Sequence, residues 1–193
     1  MIIRDIFEKN IDRRIDGVVK ADQVDQESLW IELDEFEVTK EVRKQLSQFF
    51  GAVRDARLHP KDQAIAGRTG VWISGFFGCG KSMLLKILSL AMSNQKVRAK
   101  GQEKAALDFL LPKLGDELLK GQVEEAVGKG AETVLFGIHT KAEAGRGDEA
   151  LIDVFFRVFA EHRGYCGSDP NVASFEEELD NRGRLADFKK EFE

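Results

Sequence analysis

Apolar positions recur along this chain at a helical period in most stretches and as short unbroken runs in a few. Val42, Leu46, Phe49, Phe50 and Val53 fall at i, i+4, i+7, i+8 and i+11, the stripe of an amphipathic helix, with Thr39 placed to cap it. Lys40, Arg43, Lys44, Arg54 and Arg57 fill the other face, the pattern of a solvated surface. Met83 to Met92 is apolar nearly all round, as in a helix buried against a sheet. Ala105 to Leu111 predicts a helix stopped by Pro112. Asp116 to Val127 predicts another, with Leu119, Val123, Ala126 and Val127 on one face and glycines at its end. Leu151, Ile152, Phe155, Val158 and Phe159 line a helix that opens near Asp148. Residues 172–193 read as an amphipathic pair of helices broken at Gly183, and Ile3, Phe7 and Ile11 as a short helix.

The short runs predict strands. Val71-Trp72-Ile73-Ser74 and the stretch from Thr133 through Ile138 and His139 to Thr140 have the apolar, β-branched character of buried strands in a parallel sheet. Gly17-Val18-Val19-Lys20 and Phe36-Glu37-Val38-Thr39 read as shorter strands nearer the N-terminus. His59-Pro60 and Gly67-Arg68-Thr69-Gly70 are turn signals, so a boundary falls between a leading α+β segment, residues 1–62, and a core, residues 63–193.

Composition narrows the class. The chain has 193 residues, 42% of them apolar, enough to bury a core rather than remain disordered. A net charge of −5 makes no global case for nucleic-acid binding and leaves direct DNA contact open. Asp22 to Thr39 contains no Lys or Arg and reads as a solvated acidic face; Lys96, Arg98, Lys100 and Lys104 read as a basic connection. Two cysteines, Cys79 and Cys166, make no disulfide framework, and no apolar run approaches a membrane span or a leader peptide. A cytoplasmic protein with no membrane partner is expected.

The chemistry concentrates at Gly75-Phe76-Phe77-Gly78-Cys79-Gly80-Lys81-Ser82, the Gly-x-x-x-x-Gly-Lys-Ser pattern of a Walker A loop between a predicted strand and a predicted helix. Glycines let the backbone approach a phosphate chain and aim its N–H groups inward as an anion nest. The helix that follows adds unpaired donors and a positive dipole end. Lys81 would reach the β- and γ-phosphates of ATP, the catalytic role of the set, and Ser82 would ligate Mg²⁺. The expected fold class is therefore α/β, an incomplete P-loop NTPase core with a parallel sheet behind the small α+β segment. Leu29-Trp30-Ile31-Glu32-Leu33-Asp34-Glu35 imitates a Walker B strand but precedes the loop and is interrupted by Glu32, so it is discounted. No later predicted strand ends in Asp or Glu, which hydrolysis would require. His139 and Thr140, at the end of the second strand, are more simply structural.

A resemblance runs through several of these stretches. Asp5-Ile6-Phe7-Glu8, Ile15-Asp16-Gly17-Val18-Val19-Lys20, Glu32-Leu33-Asp34-Glu35-Phe36-Glu37-Val38-Thr39 and Val71-Trp72-Ile73-Ser74-Gly75-Phe76-Phe77-Gly78 running into Gly80-Lys81-Ser82 carry it. Together they resemble the N-terminal part of the large P-loop ATPase of BREX bacteriophage-exclusion systems, the BrxC/PglY family. The resemblance covers most of the chain and implies an AAA+-like ATPase that acts in antiviral defence beside a DNA methyltransferase and other BREX proteins, with oligomer formation open. Family members are longer, and this chain ends inside a helical pattern, so it reads as an N-terminal fragment that binds ATP. Two other functions are compatible with the loop. One is a nucleotide-dependent interaction switch without turnover. The other is a small-molecule kinase, disfavoured because about 70 residues precede the loop.

Overall fold

The computed structural model describes residues 3–7, 11–12, 19–20, 25–66, 70–138 and 149–192. The chain divides into two units, Met1–Lys129 and Gly130–Glu193.

Side-chain caps set where most helices of the first unit begin. Asp25 accepts from the Ser28 N–H at 2.9 Å and opens α1, Gln26–Glu35. The Thr39 hydroxyl accepts from the Val42 N–H at 3.2 Å and opens α2, Lys40–Leu58, where the sequence places it. A turn at His59 to Asp62 leads to the single-turn α3, Gln63–Ala66. Helix α4, Lys81–Ser93, is followed by strands β1, Lys96–Ala99, and β2, Gln102–Ala105, then by α5, Ala106–Leu114. Asp116 accepts from the Leu118 and Leu119 N–H groups at 2.9 and 3.2 Å and opens α6, Glu117–Val127.

The core of this unit is built from helical stripes. Leu29 and Leu33 of α1, Leu46 and Phe50 of α2, Ile87, Leu88, Leu90 and Ala91 of α4, Phe109, Leu110 and Leu114 of α5 and the four predicted residues of α6 form one buried cluster with Val97. Trp30 and Phe109 meet edge to face at 4.9 Å. Inside this apolar cluster Lys86 Nζ lies 2.6 Å from Glu32, both side chains nearly inaccessible, and donates to the Lys20 carbonyl at 3.2 Å.

The parallel-sheet α/β expectation is overturned. The described residues are predominantly helical, and their only sheet is the antiparallel β1–β2 hairpin, Lys96 opposite Ala105 and Ala99 opposite Gln102. The P-loop NTPase (AAA+-like) core is therefore not the architecture of this chain. A strand exists only through a hydrogen-bonded neighbour. Residues 70–74 have none: Val71 and Trp72 are exposed, and only Ile73 packs on the core. Residues 131–137 likewise have no regular structure, while His139 and Thr140 lie outside the described residues. Phe36 to Thr39 is a connection whose Phe36 and Val38 join the core. Gly17 and Val18 lie outside the described residues, Val19 and Lys20 have no regular structure, and Ile3–Ile6 forms one 3₁₀ turn.

Two further expectations change. The basic connection over Lys96 to Lys104 is the hairpin itself, turned by Lys100 and Gly101 at φ 53° and 75°, the signs of a type I′ turn. Helix α5 runs through Pro112 to Gly115, whose φ of 63° ends it. Burial of Leu114 and the bonds of Lys113 offset the hydrogen bond that proline removes. Lys113 Nζ donates to the carbonyls of Leu33, Asp34 and Phe36 at 2.9, 2.6 and 2.8 Å, closing the C-terminal end of α1.

The second unit contains α7, Glu149–His162, α8, Pro170–Asn181, and α9, Leu185–Phe192. Asp169 caps α8, with Pro170 in its first turn, and Gly183 at φ 65° makes the predicted break. Helix α7 buries Val154, Val158 and Ala160, whereas Ile152, Phe155 and Phe159 of its expected inner face are exposed. The Tyr165 hydroxyl donates to Asp180 at 2.7 Å, which with burial raises its pKa above the ordinary tyrosine value. The Cys166 thiol lies 3.3 Å from the Ser168 hydroxyl, and that hydrogen bond lowers its pKa. Among the described residues no helix is long and apolar enough to cross a membrane.

Candidate functional site

Gly75, Phe76, Phe77, Gly78, Cys79 and Gly80 form an irregular loop that runs directly into α4, with Lys81 and Ser82 as its first two residues. Two glycines are required by the backbone. Gly78 and Gly80 sit at φ 80° and 87°, in open space where a Cβ would meet nothing within 4 Å. At Gly75 a Cβ would stand 2.7 Å from Cys79 Sγ, so the thiol would have to move. The Cys79 N–H donates to the Phe76 carbonyl at 3.3 Å and closes the turn.

Lys81 folds back over this loop. Its Nζ donates to the carbonyls of Gly75 at 2.9 Å and Phe76 at 2.6 Å, and lies 3.8 Å from Cys79 Sγ. An ammonium thus stands at the mouth of the loop, half-buried and held by neutral acceptors that an anion can replace. Asp25, Thr39 and Asp116 each supply a side-chain acceptor to a helix of this unit, but the N-cap residue of α4, Gly80, supplies none. Leu84 N–H bonds to the Gly80 carbonyl at 2.9 Å as the first helical bond. The donors of the first turn are therefore left without a side-chain acceptor, beside Lys81 and the exposed Ser82 hydroxyl.

This donor set fits a phosphate chain. Open space at Gly78 and Gly80 leaves the backbone accessible, and Ser82 offers one hard oxygen of the kind Mg²⁺ takes. Among the described residues no group of three or more His, Cys, Asp and Glu side chains could hold a metal ion. Phe76 and Phe77, 90% and 103% exposed, project from the loop rather than packing under it.

Glu32, in the discounted Walker B-like stretch, lies on α1 and points at Lys86, one turn beyond Ser82 on α4. The sequence carries a signal for this pair. Glu32 is the only charge within Leu29 to Leu33, and Lys86 the only one within Met83 to Met92. Two lone opposite charges in apolar runs are expected to meet when both runs are buried. No family model matches the chain, and no solved structure matches it.

Proposed function

We propose that Gly75 to Ser82 binds the phosphate chain of ATP with Mg²⁺, and that the chain is an ATP-binding module of a BREX-type bacteriophage-exclusion ATPase. The observation that carries the first part is Lys81 Nζ bridging the Gly75 and Phe76 carbonyls at the head of a helix with no side-chain cap. Phosphate oxygens entering the loop would take over the Lys81 ammonium and the free N–H groups together. Ser82 would join the Mg²⁺ shell, which supplies charge neutralisation between the β- and γ-phosphates. The second part rests on the resemblance carried by Trp72-Ile73-Ser74-Gly75-Phe76-Phe77-Gly78. On that reading the chain works in the cytoplasm beside other BREX proteins, a DNA methyltransferase among them, and ATP hydrolysis belongs to the full-length family.

Calorimetric titration with Mg-ATP tests the site. A hydrogen-bonded charge contributes about 1.5–3 kcal/mol, so Lys81→Ala should weaken binding by roughly 10- to 100-fold. Equal affinity in the wild-type and Lys81→Ala chains would remove the loop as the ATP site.

A further inference from the structure

Away from the Walker loop, α2 and α6 of the first unit enclose a cleft of about 250 Å³. Lys40, Arg43, Lys44 and Ser47 line it from α2, and Asp116 and Gln122 from the start of α6. The α2 residues stand at i, i+3, i+4 and i+7, so one face of one helix supplies all four. Three cations thus converge on a cleft with a single carboxylate.

That carboxylate forms no ion pair with them among the described residues. Asp116 accepts from the Leu118 and Leu119 N–H groups and is engaged as the cap of α6. Among the described residues Lys40, Arg43 and Lys44 form no ion pair with any acidic side chain. Arg43 is also fixed in place. Its Nη2 would lie 3.4 Å from a Cβ on Gly115, so the guanidinium rests against that backbone, and its Nε is buried without a hydrogen-bond partner. The cleft is therefore lined by a guanidinium that no carboxylate among the described residues pairs with. Ser47 Oγ and Gln122 Oε1, 3.5 Å apart, add a hydroxyl and an amide to the wall.

We propose that this cleft is a second anion site, for a small, multiply charged phosphate compound. A planar guanidinium beside two exposed lysine ammonium groups matches phosphate oxygens in charge and geometry. The volume accommodates inorganic phosphate, pyrophosphate or a small phosphate monoester, and is below the usual range for drug-sized ligands. The proposal shares no residue with Gly75 to Ser82 and stands whether or not that loop binds ATP.

The test uses the full chain carrying Lys81→Ala, so that phosphate binding in the Walker loop is weakened. Pyrophosphate, inorganic phosphate and glycerol phosphate are titrated by calorimetry at one ionic strength set with potassium chloride. Pyrophosphate is expected to bind, and Arg43→Gln to weaken it about tenfold or more. Lys40→Gln/Lys44→Gln, at two exposed positions, should weaken it comparably with an unchanged melting temperature, which covers the case in which Arg43→Gln fails to fold. Relative affinities of inorganic phosphate and glycerol phosphate distinguish a free from an esterified ligand. Failure of pyrophosphate to bind the Lys81→Ala chain, or undiminished binding by the Lys40→Gln/Lys44→Gln chain, would overturn the proposal.

Discussion

Lys86 shows how much one side chain of the loop helix depends on its partner. Its ammonium is buried, paired in charge with Glu32 and donating to one backbone carbonyl. Burying two charges is costly, and their mutual attraction roughly offsets that cost only while both are present. Lys86→Met leaves the Glu32 carboxylate buried without its counter-charge and should cost about 3–5 kcal/mol in urea unfolding. Adding Glu32→Leu removes the orphaned charge and should recover most of that loss. A double variant as unstable as Lys86→Met would show that the pair is not the source of the effect. At this scale the candidate site was legible because its residues are contiguous: Gly75 to Ser82 needs no long-range fold to be recognised. The Lys86–Glu32 pair and the Arg43 cleft join residues far apart in sequence, and only packing brings them together.

Helices were legible because their period is local. Val42 to Val53 and Leu119 to Val127 bury the sides that their spacing marks, and Thr39 caps the helix it precedes. Strands were not, because an apolar tetrapeptide such as Val71 to Ser74 says nothing about whether a neighbour exists to pair with it. The hairpin went unread for the opposite reason. Gln102, Glu103 and Lys104 are polar and exposed, so β2 has pairing without an apolar signature. Pro112 read as a stop because proline removes a helical bond, yet the residue after it secures another helix. Lys113 donates to three carbonyls at the end of α1, where a cation also meets the negative end of the helix dipole. Lys113→Met should lower stability by about 1–2 kcal/mol, allowing for partial exposure of these bonds. The urea midpoint should fall with the slope unchanged, and amide exchange should quicken first around Leu33 to Phe36. An unchanged midpoint would mean that water satisfies those carbonyls equally well.

For the molecule as a whole, the Walker-type loop is attached to a helical core rather than to a parallel sheet. Its helix α4 contributes Ile87, Leu88, Leu90 and Ala91 to the same cluster as α1, α2, α5 and α6. Unfolding of the first unit therefore destroys the loop, and anything bound to the loop opposes that unfolding. At ATP concentrations one hundred times the dissociation constant the stabilisation is about 2.7 kcal/mol. The slowest amides of α4 and α6, which exchange through global opening, should then exchange about 100-fold more slowly with Mg-ATP than without it. Amides that exchange by local opening should change little, because that opening does not disrupt the core. Amides of α8 and α9 discriminate between two kinds of cooperativity. They slow by the same factor if the two units unfold together, and stay at their original rates if each unit unfolds alone. Unchanged exchange in α4 at saturating Mg-ATP would break the link between loop and core on which this expectation rests.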